Sequence, residues 1–159
     1  PRAGVVLAGV AVSDLAGDLS RRLAPANMAL VSLLAYLDAS ALVKLVVDED
    51  GSPALHRWYI EAERIATSRV GVIETRRAAR RQPHDEVRLE AMIEAVAVFE
   101  IDAEIDRRAS SIGLASLRTL DAIHIATALA LPGVDAFITY DDRQAAAARL
   151  VGLPVVRPA

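Results

Sequence analysis

Leu33-Leu34-Ala35-Tyr36-Leu37-Asp38-Ala39-Ser40-Ala41-Leu42-Val43-Lys44-Leu45 is the stretch from which the rest of the chain can be read. Its apolar opening is too short for a typical helix and ends at one carboxylate followed by small residues. That is the pattern of a buried parallel strand running into a helix. Asp38 then stands at the strand's carboxyl end, the edge of an open α/β sheet where ligands bind, and Ser40 beside it can cap the following helix. An ionised carboxylate among Leu, Ala and Val is costly unless a cation or hydrogen-bond donors compensate it. No Lys or Arg precedes Lys44 in this stretch. Taken alone, Asp38 could equally be an Asx cap at a strand-helix turn; further carboxylates at the same edge would instead require a metal ion.

Downstream, strands and helices alternate. After the helix Ala39 to Val46, an acidic turn, Asp48-Glu49-Asp50-Gly51, leads to Ser52-Pro53, read as an N-cap with Pro at the first helical position. The helix that follows carries Trp58 and Tyr59, whose rings suit packing better than stacking on bases. Ile65-Ala66-Thr67-Ser68 predicts a second strand, and Val70 to Arg81 a helix ended by Gln82-Pro83, with Glu74 on the margin of its buried stripe. Asp85 can cap an amphipathic helix bearing Val87, Leu89, Met92, Ile93 and Val96. Val98 to Ile101 alternates as a third strand, and Asp102 begins a helix to about Ser111. Thr119 to Leu131 is almost wholly apolar, so it predicts a buried helix stopped by Pro132-Gly133, with Asp121 in its first turn where the helix dipole favours an acid. Ala136-Phe137-Ile138-Thr139 is a fourth strand running to Tyr140-Asp141-Asp142; Asp142 is expected to cap the Ala-rich helix Gln144 to Leu150, before a short strand at Pro154-Val155-Val156. The alternation predicts an α/β protein, a three-layer α/β/α sandwich around a mostly parallel sheet.

Residues 1–27 differ: an apolar run, two acidic-polar patches and the breaker Pro25-Ala26-Asn27. They read as an extension of unknown role, and Met28 suggests that the functional domain runs over 28–159. The run Ala3 to Val12 is about half the ~20 residues needed to span a bilayer. It has a faint look of a signal peptide without a convincing cleavage site. Hydrophobic residues at 53% and charged ones at 25% exclude a disordered chain. A net charge of −3 argues against a bulk electrostatic footprint on nucleic acid and leaves local patches only. Absence of cysteine removes disulfides, thiolate metal sites and cysteine nucleophiles, and agrees with a reducing, cytoplasmic compartment.

Asp38 and Asp141 thus end strands, Asp121 opens a buried helix, and Glu74 lies in the first turns of another. Strand carboxyl ends and the amino ends of the following helices share one edge of a parallel sheet, so all four acids can converge there. Carboxylates gathered in one pocket need neutralising. Mg²⁺ or Mn²⁺, held by acids and by substrate phosphate, is the usual arrangement in phosphoryl chemistry.

With these residues in place the chain resembles the PIN-domain ribonucleases and, among them, the VapC-like toxins of toxin-antitoxin pairs. The resemblance covers about Leu34 to Pro158. It rests on Tyr36 to Lys44, on Glu74, on Leu117-Arg118-Thr119-Leu120-Asp121-Ala122-Ile123-His124-Ile125-Ala126-Thr127-Ala128-Leu129, and on Phe137-Ile138-Thr139-Tyr140-Asp141. It implies a Mg²⁺- or Mn²⁺-dependent endoribonuclease that hydrolyses RNA phosphodiester bonds. It further implies that Asp38, Glu74, Asp121 and Asp141 are metal-binding and catalytic, that Ser40 and Thr139 support the pocket, and that the protein is a homodimer neutralised by a cognate antitoxin.

Each residue also has a plainer reading. Asp121 alone suits a dipole partner and Asp141 a turn, while Glu74 could pair with Arg76 or Arg77. His124, between isoleucines, is more often a satisfied core residue than a group acting on substrate. In Arg76-Arg77-Ala78-Ala79-Arg80-Arg81, Arg77 could hold an RNA backbone, or the run could be a solvated helix face. Two other functions stay open. One is a phosphatase-like hydrolase with Asp38 as nucleophile, although that chemistry's usual second Asp, two residues on, is here Ser40. The other is an inactive PIN-like binding module.

Overall fold

In chain order the elements are β1 (Val5–Leu7), β2 (Val10–Ala11), β3 (Leu34–Leu37), α1 (Ala39–Val46), α2 (Ser52–Glu61), β4 (Arg64–Ser68), α3 (Arg69–Ala79), α4 (Glu86–Ala95), β5 (Ala97–Phe99), α5 (Ala103–Ser111), α6 (Thr119–Ala130), β6 (Ala136–Ile138), α7 (Asp142–Leu150) and β7 (Val155–Val156). They come from a computed structural model that describes residues 5–7, 10–11, 33–114 and 117–159. The expected breaker at Pro25-Ala26-Asn27 and the acidic-polar patches before it lie outside the described residues, as does part of the loop Leu114 to Arg118.

The sheet has the order β2-β1-β5-β4-β3-β6-β7, and β3 is the middle strand of its parallel part. Strands β5, β4, β3, β6 and β7 are parallel neighbours, whereas β1 joins β5 antiparallel. Tyr36 is paired with Ala66 on one side and Phe137 on the other. All four residues of β3 are buried, as a strand covered on both faces must be. The alternation of its side chains separates two cores. Ala35 and Leu37 face α1–α4 with Leu42, Leu55, Val72, Leu89 and Ile138, while Leu34 and Tyr36 face α6 and α7 with Ile125, Phe137 and Ala148. The Tyr36 and Phe137 rings lie parallel at 5.4 Å between centroids, two large side chains of adjacent strands on one face. The expected three-layer α/β/α sandwich is therefore present, and Trp58 and Tyr59 pack against the first core.

Helix caps bring polar residues to the carboxyl edge of the parallel strands. Asp38 and Asp141 follow β3 and β6 and Ser68 ends β4, and each side chain accepts from a first-turn N–H group of the next helix. Such caps are worth about 0.5–2 kcal/mol each. In two places local structure departs from the sequence reading. Gly51, at φ 87°, caps α2 in place of Ser52, whose hydroxyl instead bridges Val47 O and Glu49 N. Asp141 caps α7 in place of Asp142, because its carboxylate reaches Gln144 N at 2.9 Å. In α3 the buried face is Val70, Gly71, Val72, Thr75 and Ala79, and Ile73 is half exposed.

Candidate active site

Asp38 is 3% exposed, yet every hydrogen-bond partner it has among the described residues is neutral. Ser40 Oγ donates to Oδ1 at 2.7 Å, Ala41 N–H to the same oxygen at 2.9 Å, and Thr139 Oγ1 to Oδ2 at 2.7 Å. Both hydroxyls are held in turn by the loop after β6. Ser40 Oγ accepts from Tyr140 N–H and Thr139 Oγ1 from Asp141 N–H. The two strand ends are thereby locked in register, and the Asp38 backbone N–H adds a bond to Ile138 O. Lys44, the nearest cation in sequence, is turned away to Glu49 and the Asp50 carbonyl. Burial pushes the Asp38 carboxyl above its ordinary range, against the pull of His124 and of its hydrogen bonds.

Asp121, at the start of α6, reaches back to the Arg118 N–H at 3.3 Å, so its expected role at the helix end is real. Burial raises its pKa, the Arg118 bond opposes this, and the negative charge of Asp141 raises it further. Asp141 moves the other way: its bond from Gln144 N–H, with Arg143 and Arg118 nearby, holds it below the usual range. Arg143 comes within 3.7 Å of Asp141, both side chains about a third exposed, so the pair is screened. Glu74 does not pair with Arg76, which is turned to Glu90. It accepts instead from His124 Nε2 at 3.0 Å, and His124 Nδ1 meets the Tyr36 hydroxyl at 2.8 Å.

The acids therefore occupy one edge of the sheet in distinct settings: Asp38 deep in a hydroxyl cradle, Asp121 beside Asp141, and Glu74 on α3 against His124. Among the described residues no three His, Asp or Glu side chains stand close enough to form a ready-made cation cage. A cleft of about 550 Å³ opens alongside, lined in part by Ser40, Lys44, Glu74, Arg77, Arg81 and Tyr140.

Gln144 and Gly71 escape sequence reasoning, whereas His124 is the interior histidine that the sequence led us to expect. Gln144 is buried, with its side-chain amide oxygen 2.8 Å from Thr139 Oγ1, so the hydroxyl's single proton lies between that oxygen and Asp38 Oδ2. Nothing in the Ala-rich helix sequence signals this. His124 is 2% exposed and doubly bonded, which makes it the satisfied interior histidine rather than a group open to substrate. Gly71 lets α3 approach α6: a Cβ there would collide with Thr67 Oγ1 and lie 3.1 Å from His124 Cε1. A lone glycine inside a helical pattern costs stability and so hints at such a packing reason.

Comparison with known proteins identifies the family and the fold. Residues 35–150 match the PIN domain. The chain is 34% identical over 130 residues to Ribonuclease VapC47 of Mycobacterium tuberculosis, an alignment covering 77% of this chain and 96% of that protein. The crystal structure of M. tuberculosis VapC20, described as a sarcin-ricin loop cleaving toxin, superposes with a TM-score of 0.61 at 18% identity, covering 78% of this chain and 99% of that one. A chain of VapBC2 from Rickettsia felis, bound to a DNA fragment from its promoter, superposes with a TM-score of 0.59 at 13% identity, covering 80% and 100%. The matching span holds the parallel strands up to β6, save Leu34, together with Asp38, Glu74, Asp121 and Asp141, and with a third of the aligned residues identical to a VapC ribonuclease the chain belongs to the PIN-domain family, among its VapC-like members.

Proposed function

We propose that this chain is a Mg²⁺- or Mn²⁺-dependent endoribonuclease toxin restrained by a cognate antitoxin. The observation that carries this is Asp38, a carboxylate buried at the ligand-binding edge of a parallel sheet with neutral partners only, on the same edge as Asp121, whose ionisation the charge of Asp141 opposes. Oxygen donors of this kind suit a hard divalent cation. Mg²⁺ keeps several waters and takes only one or two carboxylates directly, so a dispersed set of acids fits it better than a closed cage. When bound, such a cation supplies positive charge for phosphate oxygens and acidifies a water to the point of attack at neutral pH.

The chain's own residues do the rest. Ser40 and Thr139 fix the Asp38 carboxylate, and the loop amides at Tyr140 and Asp141 fix those hydroxyls. Arg77 and Arg81 line the cleft beside Glu74, a local basic surface for an RNA backbone on a protein of net negative charge. VapC47 is by name a ribonuclease and VapC20 by description a toxin that cleaves an RNA loop, and both support the substrate class. A phosphatase-like role for Asp38 is disfavoured because Ser40 stands where that chemistry's second Asp would be, and because VapC47 is by name a ribonuclease.

The partner and the oligomer follow from the VapC kinship, with the VapBC2 likeness as support. Exposed Ile60, Val87 and Leu150 offer apolar surface for a second copy or a partner protein. No helix among the described residues is long and apolar enough to cross a membrane. Purified protein should cut single-stranded RNA with Mg²⁺ or Mn²⁺ and stop on addition of a chelator; cleavage that persists with chelator would remove the metal from the mechanism. Light scattering at micromolar concentration should give a dimer mass, and a monomer mass would count against self-association.

A further inference from the structure

Of the four acids, Glu74 is the least constrained by its own backbone. Asp38 and Asp141 are helix caps and Asp121 bonds a backbone amide, each on a short side chain. Glu74 sits in the middle of α3 with no capping duty and a carboxylate on a longer, more mobile stem, its side chain 32% exposed. Left alone, it would sample several rotamers. Among the described residues its one hydrogen-bond partner is His124.

His124 is equipped for that task. A carboxylate only accepts, so Nε2 carries the proton it shares with Glu74. Nδ1, the other ring nitrogen, stands 2.8 Å from the Tyr36 hydroxyl, which can either donate or accept there. Tyr36 is fully buried in the central strand and stacked on Phe137, so its hydroxyl is a fixed point. The ring is thus held at both nitrogens, by the Tyr36 hydroxyl on one side and by Glu74 on the other. Gly71 is what lets α3 lie close enough for the last link to form.

We propose that His124 is a positioning residue for Glu74: anchored at Nδ1 by the Tyr36 hydroxyl and donating from Nε2, it aims the Glu74 carboxylate across the acidic edge as a ligand for a divalent cation. This rests on the metal-dependent reading of the site. Partners of this kind, one shell behind a metal ligand, typically change affinity or activity by roughly 10- to 100-fold when removed.

The test is Mn²⁺ binding to the full chain by isothermal titration, with circular dichroism to confirm folding. The unaltered protein is expected to bind Mn²⁺, and His124→Leu to bind it roughly 10- to 100-fold more weakly. His124→Gln, whose amide N–H can take the place of Nε2, should recover most of that loss. Tyr36→Phe, which removes the anchor at Nδ1 and leaves the ring free to turn, should weaken binding in the same direction by less. Excess Mn²⁺ should restore RNA cleavage by His124→Leu, which it would not do for a packing defect. Equal affinity in the unaltered protein and a folded His124→Leu overturns the proposal. Should that variant not fold, equal affinity in Tyr36→Phe and the unaltered protein overturns it instead. If the unaltered protein itself binds no Mn²⁺, the metal-dependent reading fails and this inference with it.

Discussion

Thr139 Oγ1 donates to Asp38 Oδ2 at 2.7 Å, joining residues 101 positions apart at the ends of two adjacent parallel strands. The same oxygen accepts from Asp141 N–H and meets Gln144, so one hydroxyl organises the buried polar side of the site. Thr139→Val keeps the shape but leaves three buried polar groups short of a partner. It should lower stability by about 1–3 kcal/mol, since an orphaned buried group loses its full solvation. Thr139→Ser, which keeps the hydroxyl, should cost much less. Urea unfolding of both variants checks this, and equal midpoints would deny Thr139 that role.

The pH dependence of the metal-free protein follows from the directions in which the acids are shifted. Burial raises Asp38 above the ordinary aspartate value of 3.8. Between 3.8 and that raised value the folded protein binds a proton that the unfolded chain does not, so this residue's contribution falls as pH rises through the window. Asp141 has the opposite sign: held below 3.8, its contribution is intact above that value and is lost only under more acidic conditions. Asp38→Asn should therefore melt above the unaltered protein near neutral pH without metal, with the gap closing as pH falls toward 3.8. The substitution is accommodated because Thr139 can accept from the Asn amide while donating to Gln144. Parallel melting curves across pH would contradict the uncompensated charge at Asp38.

Gly71→Ala should destabilise the fold by about 1–3 kcal/mol, the usual cost of forcing extra volume into a packed interior. The added methyl would strike Thr67 Oγ1, which is itself anchored to Leu37 O at 2.8 Å. Combining it with Thr67→Ala makes room, so the two changes together should cost less than their sum in a denaturant series. Strict additivity would mean that the close approach of α3 to this strand is not tight.

Arg77 and Arg81 line the cleft, whereas Arg76 on the same helix is engaged with Glu90. Replacing Arg77 and Arg81 with Ala should leave stability within about 0.5 kcal/mol. It should weaken RNA binding and make it less sensitive to salt, by about 0.7 in the log-log slope for each phosphate that is no longer neutralised. Fluorescence anisotropy over a range of salt concentrations measures this; an unchanged slope would place the RNA elsewhere.

Much of the architecture was legible because it depends on local apolar pattern. The strand Leu34–Leu37 and helix Ala39–Val46 stand where the apolar run and the small residues after Asp38 put them. Where the sequence offered two equivalent choices one residue apart, as at Asp141-Asp142 or Gly51-Ser52, hydrogen-bond geometry decided and pattern could not. The third strand shows the same limit: it closes at Phe99 because β4 ends at Ser68, its register partner, which leaves Ile101 partly exposed. The link from Tyr36 through His124 to Glu74 joins three elements over separations of 88 and 50 residues. Such a link exists only once the sheet has formed. A histidine between isoleucines therefore gave away its burial but not its partner.

Whether the buried acids cut RNA is tested most directly by single-turnover cleavage of a single-stranded RNA in Mn²⁺ by the unaltered protein and by Asp38→Asn and Asp121→Asn, each checked for folding. Both variants keep the shape and much of the hydrogen bonding of the acid while removing its charge. The expected result is folded protein with cleavage reduced roughly 100-fold or more, the scale of losing one electrostatic stabiliser of a transition state. Folded variants that cut at the unaltered rate would show that Asp38 and Asp121 serve the helices they begin and not the chemistry.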